Sequence, residues 1–311
     1  MAVEPASGGG TPLSPAAGPR RLRAAMRAVL AGTARNALAL PSVLWTALFF
    51  LAPLGLLILY SFGTTNLLTY AVGFGWTTSN YTGIFNSLYL DTILRSFALS
   101  AGATIGCLIL GFPVAYTIAR ARGRLQVMLL LAVMVPFWTS FVVRTYGVFN
   151  VISDNGPIYQ LLHALGLVHH YIHLLFTPIG VGIGIVYTYM PLMILPLYVA
   201  LERIDPALLD AAHDLGASPA RSLRRVVLPM AKPGIVAGCV LVGIPATGEY
   251  VIPQILGGGQ TLMYGNVVSD QFLDIGNYPF GAALAVALTL VLIIVLILAR
   301  SRSYRSEAGL A

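Results

Sequence analysis

The sequence predicts an all-α, polytopic membrane protein with six transmembrane helices. Hydrophobic residues make up 57% of the 311 residues and charged residues only 9%, whereas soluble globular domains carry about 25% charged residues. So few charges do not cover the surface of a soluble fold of this size, which excludes an ordinary soluble enzyme, a disordered chain and a coiled coil. Six apolar runs and a one-sided distribution of basic residues favour the same class.

Each of the six apolar runs is long enough to cross the hydrocarbon core as a helix, which takes about 20 residues. They cover residues 39–62, 92–119, 125–149, 178–201, 234–256 and 280–299. We therefore expect a transmembrane domain over residues 39–300. A disordered, basic cytoplasmic segment is expected over residues 1–38, and a cytoplasmic tail over 301–311.

The basic residues predict the orientation of these spans. Sixteen of the 18 Lys and Arg residues fall in the N-terminal segment, in the loops after the second and fourth runs, and in the tail. These segments share one side of the membrane if the spans alternate, and the positive-inside rule makes that side cytoplasmic. The opposite loops carry Asp154, Asp270 and Asp274 without Lys or Arg. The pattern therefore predicts that both termini are cytoplasmic.

The loop after the fourth run, residues 202–232, has the signals of two short helices. Asp205 is an N-cap followed by Pro206 at the first helical position, and Gly216 ends the first helix. Ser218 followed by Pro219 repeats the start signal. An apolar stripe at helical spacing consists of Leu208, Leu209, Ala212 and Leu215. Such a helical hairpin suits docking in a cytoplasmic partner, or equally a connector lying on the membrane surface.

The residues of this loop resemble a family motif. Asp210-Ala211-Ala212, Gly216 and Val226-x-Leu228-Pro229 closely resemble the E-A-A-x3-G-x9-I-x-L-P motif of binding-protein-dependent ABC importer permeases, with Asp210 in place of Glu and Val226 in place of Ile. In that family the loop is the coupling helix that inserts into the ATPase subunit. The resemblance implies a type I ABC importer permease fold. It also implies that Asp205, Asp210, Ala211, Ala212, Gly216, Leu228 and Pro229 couple the chain to an ATPase.

Further motifs resemble the spermidine/putrescine branch of the family. They are Gly111 to Tyr116 (GFPVAY), Pro136 to Ser140 (PFWTS), Val143 to Tyr146 (VRTY), Leu201 to Pro206 (LERIDP) and Gly248 to Pro253 (GEYVIP). The resemblance implies import of a small polyamine across the bacterial inner membrane. Gln254 stands where many such permeases carry an acid, and relatives with a similar scaffold import opines, iron or phosphonates. These solutes therefore remain alternative substrates.

The chain is not expected to hydrolyse ATP. Its only lysine, Lys232, lies between Ala231 and Pro233, whereas a P-loop requires Gly-Lys-Ser/Thr. We therefore expect a transport subunit without a cofactor of its own, with ATP and Mg²⁺ bound by a partner ATPase present in two copies. A second permease subunit and a periplasmic or lipid-anchored binding protein complete the expected assembly. The alternative from another class is a self-contained secondary transporter or channel, which would need ion-coupling acids in several spans.

Glu249 is the main candidate for the substrate pathway. It lies near the middle of the fifth run, where a carboxylate is costly unless it faces a polar cavity or a partner. Pro245, Gly248 and Pro253 surround it, so this helix is expected to be kinked or locally unwound. Freed carbonyls and one carboxylate would favour a cation at membrane depth. The alternative is a structural Glu that pairs with Arg144 or a loop amide.

Aromatic and basic residues provide weaker candidates. Trp138, Tyr146, Tyr187, Tyr189 and Tyr250 could line a route for an alkylammonium chain through cation–π contacts, although such residues more often form interfacial belts or pack in the core. Arg144 would repel a cation, so we expect a salt-bridge or gating role for it. Four outer-loop histidines are expected to form a solvated docking surface rather than a metal site: His163, His169, His170 and His173.

Overall fold

The computed structural model describes residues 19–66, 71–73, 75–167 and 173–308. Within these ranges the regular elements are α-helices, apart from one two-stranded antiparallel hairpin and short tighter or wider helical turns. The chain forms two compact units, Met1–Leu56 and Leu57–Ala311. The all-α prediction is therefore confirmed.

Helix α1 (Pro19–Ser61) begins earlier than the sequence predicts. Residues 19–38 were expected to be disordered but are helical, because this stretch is rich in Ala, Leu and Arg, which favour the helix. Residues 1–18 lie outside the described residues. The apolar part of α1, Leu40–Ser61, is long and apolar enough to cross a membrane.

A short hairpin and two helices follow α1. Strand β1 (Thr64–Asn66) pairs with β2 (Ala71–Gly73), with Thr64 opposite Gly73. Helix α2 (Ser79–Ile84) leads to the long helix α3 (Ser87–Arg120). The second span is thus longer than the predicted run of residues 92–119.

The third span is bent rather than straight. Helix α4 (Arg124–Met134) ends in a tighter 3₁₀ turn (Val135–Trp138), and α5 (Phe141–Ile152) and α6 (Pro157–Ala164) follow. The two halves meet at an angle of 99°. Pro136 lacks an N–H donor and its ring crowds the preceding turn, which accounts for the break. The expectation of one unbroken helix over residues 125–149 is therefore corrected.

The remaining helices include three more segments that are long and apolar enough to cross a membrane. They are α7 (Pro178–Glu202), α8 (Pro206–Asp214), α9 (Pro219–Ser222), α10 (Leu228–Thr247), α11 (Val251–Leu256), α12 (Tyr264–Leu273) and α13 (Tyr278–Ala308). Helix α13 extends into the predicted tail. In the described part of the chain five helices satisfy the length and hydropathy of a span, and the bent α4–α6 segment makes a sixth if it counts as one.

Three clusters of buried apolar side chains organise the second unit. The first joins α3, α7 and α10: Cys107, Ala115, Ile118, Met193, Ile194, Leu197, Leu201, Ile204, Val227, Ala231 and Val242. The second joins α5, α7 and α11 with parts of α3 and α10: Ala103, Val148, Ile152, Val181, Ile185, Ala246, Ile252, Leu256 and Met263. The third joins α2, α12 and α13: Ile84, Tyr264, Phe280, Ala283 and Leu284.

Candidate functional site

Helix α8 is capped at both ends, as its sequence predicts. The Asp205 carboxylate accepts a hydrogen bond from the Ala207 N–H at 2.9 Å, which satisfies one of the free amides at the helix start. At the other end Gly216 has a φ of +79°. Its N–H donates to the carbonyl of His213 at 2.8 Å, and the Ala217 N–H donates to that of Ala212 at 2.9 Å. These two bonds form a Schellman motif, so the turn depends on the glycine.

The start of α8 is anchored to the core of the second unit. Ile204, just before the cap, is 2% exposed and belongs to the first core cluster. Arg120, at the end of α3, donates from Nη1 to the Ile204 carbonyl at 3.5 Å and lies over the Tyr116 ring. Leu209 packs against the same cluster. One face of α8 is therefore tied to the cytoplasmic-side ends predicted for α3 and α7.

The opposite face of α8 is exposed. Asp210, Ala211 and Gly216 are exposed, and the Leu215 side chain is 89% exposed. At the tip of a polar loop, this leucine offers an apolar surface that the described part of the chain leaves largely uncovered. Leu228 is half-buried and Pro229 is exposed. The assignment of these residues to ATPase coupling stays a prediction.

The second helix of this loop is not short, which corrects the expected hairpin of two short helices. Helix α9 continues through a wider π turn, Leu223–Val227, directly into α10. Pro229 has no N–H for the carbonyl four residues earlier, and a wider turn relieves the clash with its ring. The long helix of the fifth span therefore covers Pro219–Thr247, so this span begins earlier than the predicted residue 234.

The predicted interruption of the fifth run is confirmed, and Glu249 lies in it. Helix α10 ends at Thr247 and α11 begins at Val251. The Glu249 side chain is 6% exposed. Its Oε1 accepts from the backbone N–H groups of Tyr250 at 3.1 Å, Val251 at 2.9 Å and Ile252 at 3.4 Å. Its Oε2 accepts from the hydroxyl of Tyr189 in α7 at 2.5 Å. Both oxygens thus have partners within the chain, as in the structural alternative.

Helix α12 supports the interruption, and sequence analysis missed this contact. Asn266 donates to the Tyr250 carbonyl at 2.9 Å and to Gln254 Oε1 at 3.1 Å. A Cβ at Gly265 would meet the carbonyl oxygens of Gly248 and Glu249, the latter at 2.6 Å, so the backbones approach as closely as glycine allows. The N–H of Tyr264, the residue before Gly265, donates to the Ser96 hydroxyl in α3. No spacing pattern links these residues, since Ser96 and Tyr264 are 168 positions apart.

Arg144 lies near the bend of the third span. Its Nη1 donates to the Thr188 carbonyl at 3.4 Å, and its guanidinium lies 5.1 Å from the centroid of the Phe137 ring. Its Nε and the Thr188 hydroxyl are buried and have no partner in the described part of the chain. Neither of the two ion pairs among the described residues involves Arg144 or Glu249. The salt-bridge or gating role of Arg144 stays a prediction.

Four of the five candidate aromatics are exposed in the isolated chain, and the fifth, Tyr189, is half-buried and bonded to Glu249. Trp138 is 78% exposed and Tyr250 is 48% exposed, and Tyr146 and Tyr187 are exposed as well. Tyr187 lines a mainly apolar groove of about 760 Å³ between α3 and α7. Of these four exposed residues Tyr187 alone lines that groove, and the place of the aromatic residues on a substrate route stays a prediction.

The outer-loop histidines are only partly within the described residues. His173 Nδ1 lies 2.9 Å from Asp154 Oδ2, a pairing that sequence analysis did not anticipate because 19 residues separate the two. His169 and His170 lie outside the described residues. Among the residues that the structure describes, no group of three or more His, Cys, Asp or Glu side chains is arranged to hold a metal.

Comparison with known proteins connects these features to a family. The family model described as "Binding-protein-dependent transport system inner membrane component" matches residues 107–303. The spermidine/putrescine transport system permease protein PotB of Escherichia coli is 39% identical over 242 residues, or 78% of this chain and 88% of that protein. PotB of Haemophilus influenzae is 40% identical over 242 residues, or 78% and 84%.

A solved structure shares the fold. A chain of a bacterial alginate ABC transporter, crystallised in complex with an alginate pentasaccharide-bound periplasmic protein, superposes with a TM-score of 0.69 at 17% identity, covering 90% of this chain and 96% of that chain. The predicted resemblance is thereby confirmed. The region that the family model matches runs from α3 into α13 and includes both helix α8 and the interruption between α10 and α11. The chain therefore belongs to the inner-membrane components of binding-protein-dependent transport systems, the permease subunits of ABC importers.

Proposed function

We propose that this chain forms half of the translocation pathway of an ABC importer for a polyamine of the putrescine/spermidine type. The observation that carries this proposal is helix α8, which is capped at both ends, anchored on the core by one face and exposed on the other. A rigid helix with an exposed apolar tip can transmit a displacement from a partner to the spans to which it is anchored. The polyamine class is supported by the PotB relatives.

The partner at this surface is an ATPase, in our proposal. Asp205 and Gly216 hold the shape of the docking surface, and Asp210 to Ala212, with Leu228 and Pro229, contact the ATPase. This chain offers one lysine, which lies outside any P-loop pattern. ATP and Mg²⁺ therefore bind to the ATPase subunit, which is present in two copies. The basic loops and both termini then face the cytoplasm.

A second permease subunit and a substrate-binding protein complete the proposed importer. Six spans enclose only half a pathway, and the opposite loops present the surface for the binding protein. The periplasmic protein seen with the alginate transporter supports this arrangement by analogy of fold.

The substrate route passes the interruption of the fifth span, in this proposal. Tyr250 is exposed there, and Trp138, Tyr146 and Tyr187 provide further aromatic faces for an alkylammonium chain. Glu249 and Arg144 place opposite charges near the two helix breaks. ATP-driven closure of the ATPases would move α8 and rock the spans between outward- and inward-open states.

Reconstitution tests the proposal. The chain, its partner permease and the ATPase are placed in proteoliposomes with the binding protein outside, and uptake of labelled putrescine is measured with and without internal ATP. We expect ATP-dependent uptake that unlabelled spermidine inhibits. Competition by an opine, iron or a phosphonate instead would overturn the polyamine assignment, and uptake by this chain alone down an ion gradient would overturn the ABC assignment.

A charge reversal on α8 tests the docking surface itself. Asp210→Lys is expected to abolish ATP-dependent uptake and to weaken co-purification of the ATPase. Asp214→Lys is the matched control, because Asp214 is also exposed and lies one turn further along α8. Equal losses in both variants, or normal uptake with Asp210→Lys, would contradict the assigned contact.

A further inference from the structure

The interruption of the fifth span leaves backbone donors that a single carboxylate oxygen satisfies. The first N–H groups of any helix lack an intrahelical acceptor. At the start of α11 these belong to Tyr250, Val251 and Ile252, and all three donate to Glu249 Oε1. Pro253 has no N–H, and the Gln254 N–H already donates to the Tyr250 carbonyl at 3.0 Å. The donors at the break are therefore matched to this one acceptor.

The other oxygen ties the break to α7. Glu249 Oε2 accepts from Tyr189, whose ring packs against both the first and the second core clusters. The preceding residue, Thr188, accepts from Arg144 at the bend of the third span. Two neighbouring residues of α7 thus form hydrogen bonds at the two helix breaks, so the positions of both breaks depend on this helix.

The far end and the side of α11 are held as well. The Leu256 carbonyl accepts from the Phe176 N–H at 2.7 Å, just before α7. Asn266 bonds both the Tyr250 carbonyl and Gln254 Oε1. Tyr250 and Gln254 are one turn apart and both are exposed, so they lie on one face of α11. This face is the part of the break that remains available for an external group.

We infer that Glu249 is a positioning residue: its carboxylate holds α11 against α7 and presents Tyr250 and Gln254 to the substrate, and it does not itself bind the transported cation. The inference rests on the proposed function, because it assigns roles within that substrate route. A carboxylate that is 6% exposed and accepts four hydrogen bonds has little capacity left for a substrate ammonium. Contact with the transported cation is instead made by the Tyr250 ring and hydroxyl and by the Gln254 amide.

Glu249→Gln separates positioning from direct binding. A glutamine keeps an Oε1 acceptor for the three amides, and its NH₂ donates to the Tyr189 oxygen, so the geometry is retained while the charge is removed. With the reconstituted importer we expect the KM for putrescine to change by no more than about threefold. Removing a charge that touches the ligand would instead weaken binding by about tenfold or more.

Two further variants complete the kinetic test. Gln254→Ala, which alters the exposed face, is expected to raise KM with little change in kcat. Glu249→Ala removes the acceptor for all three amides and is expected to lower kcat and raise KM together, with Glu249→Gln as the conservative rescue. A tenfold rise in KM for Glu249→Gln at unchanged kcat, larger for spermidine than for putrescine, would overturn the inference.

A labelling measurement keeps the inference separate from the proposed substrate. Gln254→Cys is placed in a background with Cys107→Ser and Cys239→Ser, and its reaction rate with a maleimide is measured in membranes without any transport substrate. We expect a similar rate with Glu249 or Gln at position 249 and a clearly different rate with Ala. Equal rates in all three would overturn the positioning role, even if the importer proved to carry another solute. Should the Ala variant fail to accumulate, the KM comparison of Glu249→Gln with the native chain still decides.

Discussion

The turn at Gly216 provides the sharpest test of the docking surface proposed on α8. Its φ of +79° lies in the left-handed region, and the two Schellman hydrogen bonds at 2.8 and 2.9 Å depend on that conformation. A Cβ built on Gly216 meets no heavy atom within 4 Å. The cost of a substitution within this chain is therefore conformational and not steric.

The magnitude follows from this geometry. An L-residue in the left-handed region costs about 1–2 kcal/mol, and each of the two capping hydrogen bonds contributes a net of about 0.5–1.5 kcal/mol. The conformational cost of a substitution at Gly216 is therefore about as large as the combined contribution of the two capping hydrogen bonds. Each kcal/mol lowers the population of the capped form about fivefold, so a β-branched residue leaves the capped turn as a minor form.

Three variants rank the effect. Asn tolerates the left-handed region better than Ala, and a β-branched residue tolerates it least, so ATP-dependent uptake should fall in the order Gly, Gly216→Asn, Gly216→Ala, Gly216→Val. The last variant should abolish uptake. The amount of chain in the membrane should be unchanged, because the turn lies outside the spans.

The assay combines uptake, membrane content and co-purification of the ATPase. Normal uptake by Gly216→Val would refute the coupling role of the turn. A loss in Gly216→Asn as large as that in Gly216→Val would refute the conformational argument, since a clash with the partner surface would then dominate.

Three other predictions concern the cap, the break and the outer acidic pair. Asp205→Ala should cost about 1 kcal/mol and speed hydrogen exchange of the first amides of α8, whereas Asp205→Asn should retain the cap; identical exchange in both would count against it. Gly265→Ala places a Cβ 2.6 Å from a backbone carbonyl oxygen of the break and should reduce uptake, while Gly102→Ala, with no heavy atom within 4 Å, should not. Burial, and then the neighbouring Asp274 carboxylate, raise the pKa of Asp270 above its ordinary 3.8. The folded chain then holds this proton more tightly than the unfolded chain, so stability falls as pH rises from 3.8 to the folded pKa. Asp270→Asn should therefore raise the Tm at pH 7 but not below pH 3.8, and an equal gain at both pH values would contradict this cause.

Local signals predicted the caps of helix α8 well because they act within one or two turns. The Asp205 cap, the first-position proline and the Gly216 stop all involve residues no more than five positions apart, and the structure places each as expected. The expected second short helix was wrong, because proline in a first turn starts a helix without limiting its length. That α9 continues through the π turn into α10 is visible only in the structure.

The candidate site at Glu249 was predictable only in part. The fifth run contains an acid and helix-breaking residues, and the helix is interrupted there as the sequence predicts. The contacts around the carboxylate could not be predicted, since Tyr189 is 60 positions away. Asn266, which bonds Tyr250 and Gln254, lies beyond the next loop. Nor did the sequence indicate the 99° bend of the third span, because a proline specifies that a helix is interrupted and not the angle at which it resumes.

By itself the sequence determined that this chain is a helical membrane protein, approximately where its spans lie, and which loop resembles the family motif. Hydropathy, capping residues and motif spacing are properties of neighbouring residues, so they can be evaluated before folding. The tertiary structure alone decided that both oxygens of Glu249 accept hydrogen bonds from the protein and that the backbone of α12 at Gly265 lies against the break. It also decided that Thr188 and Tyr189 form hydrogen bonds at the two helix breaks. These contacts join segments far apart in the chain, and only the packing of the helices brings their polar groups within hydrogen-bonding distance.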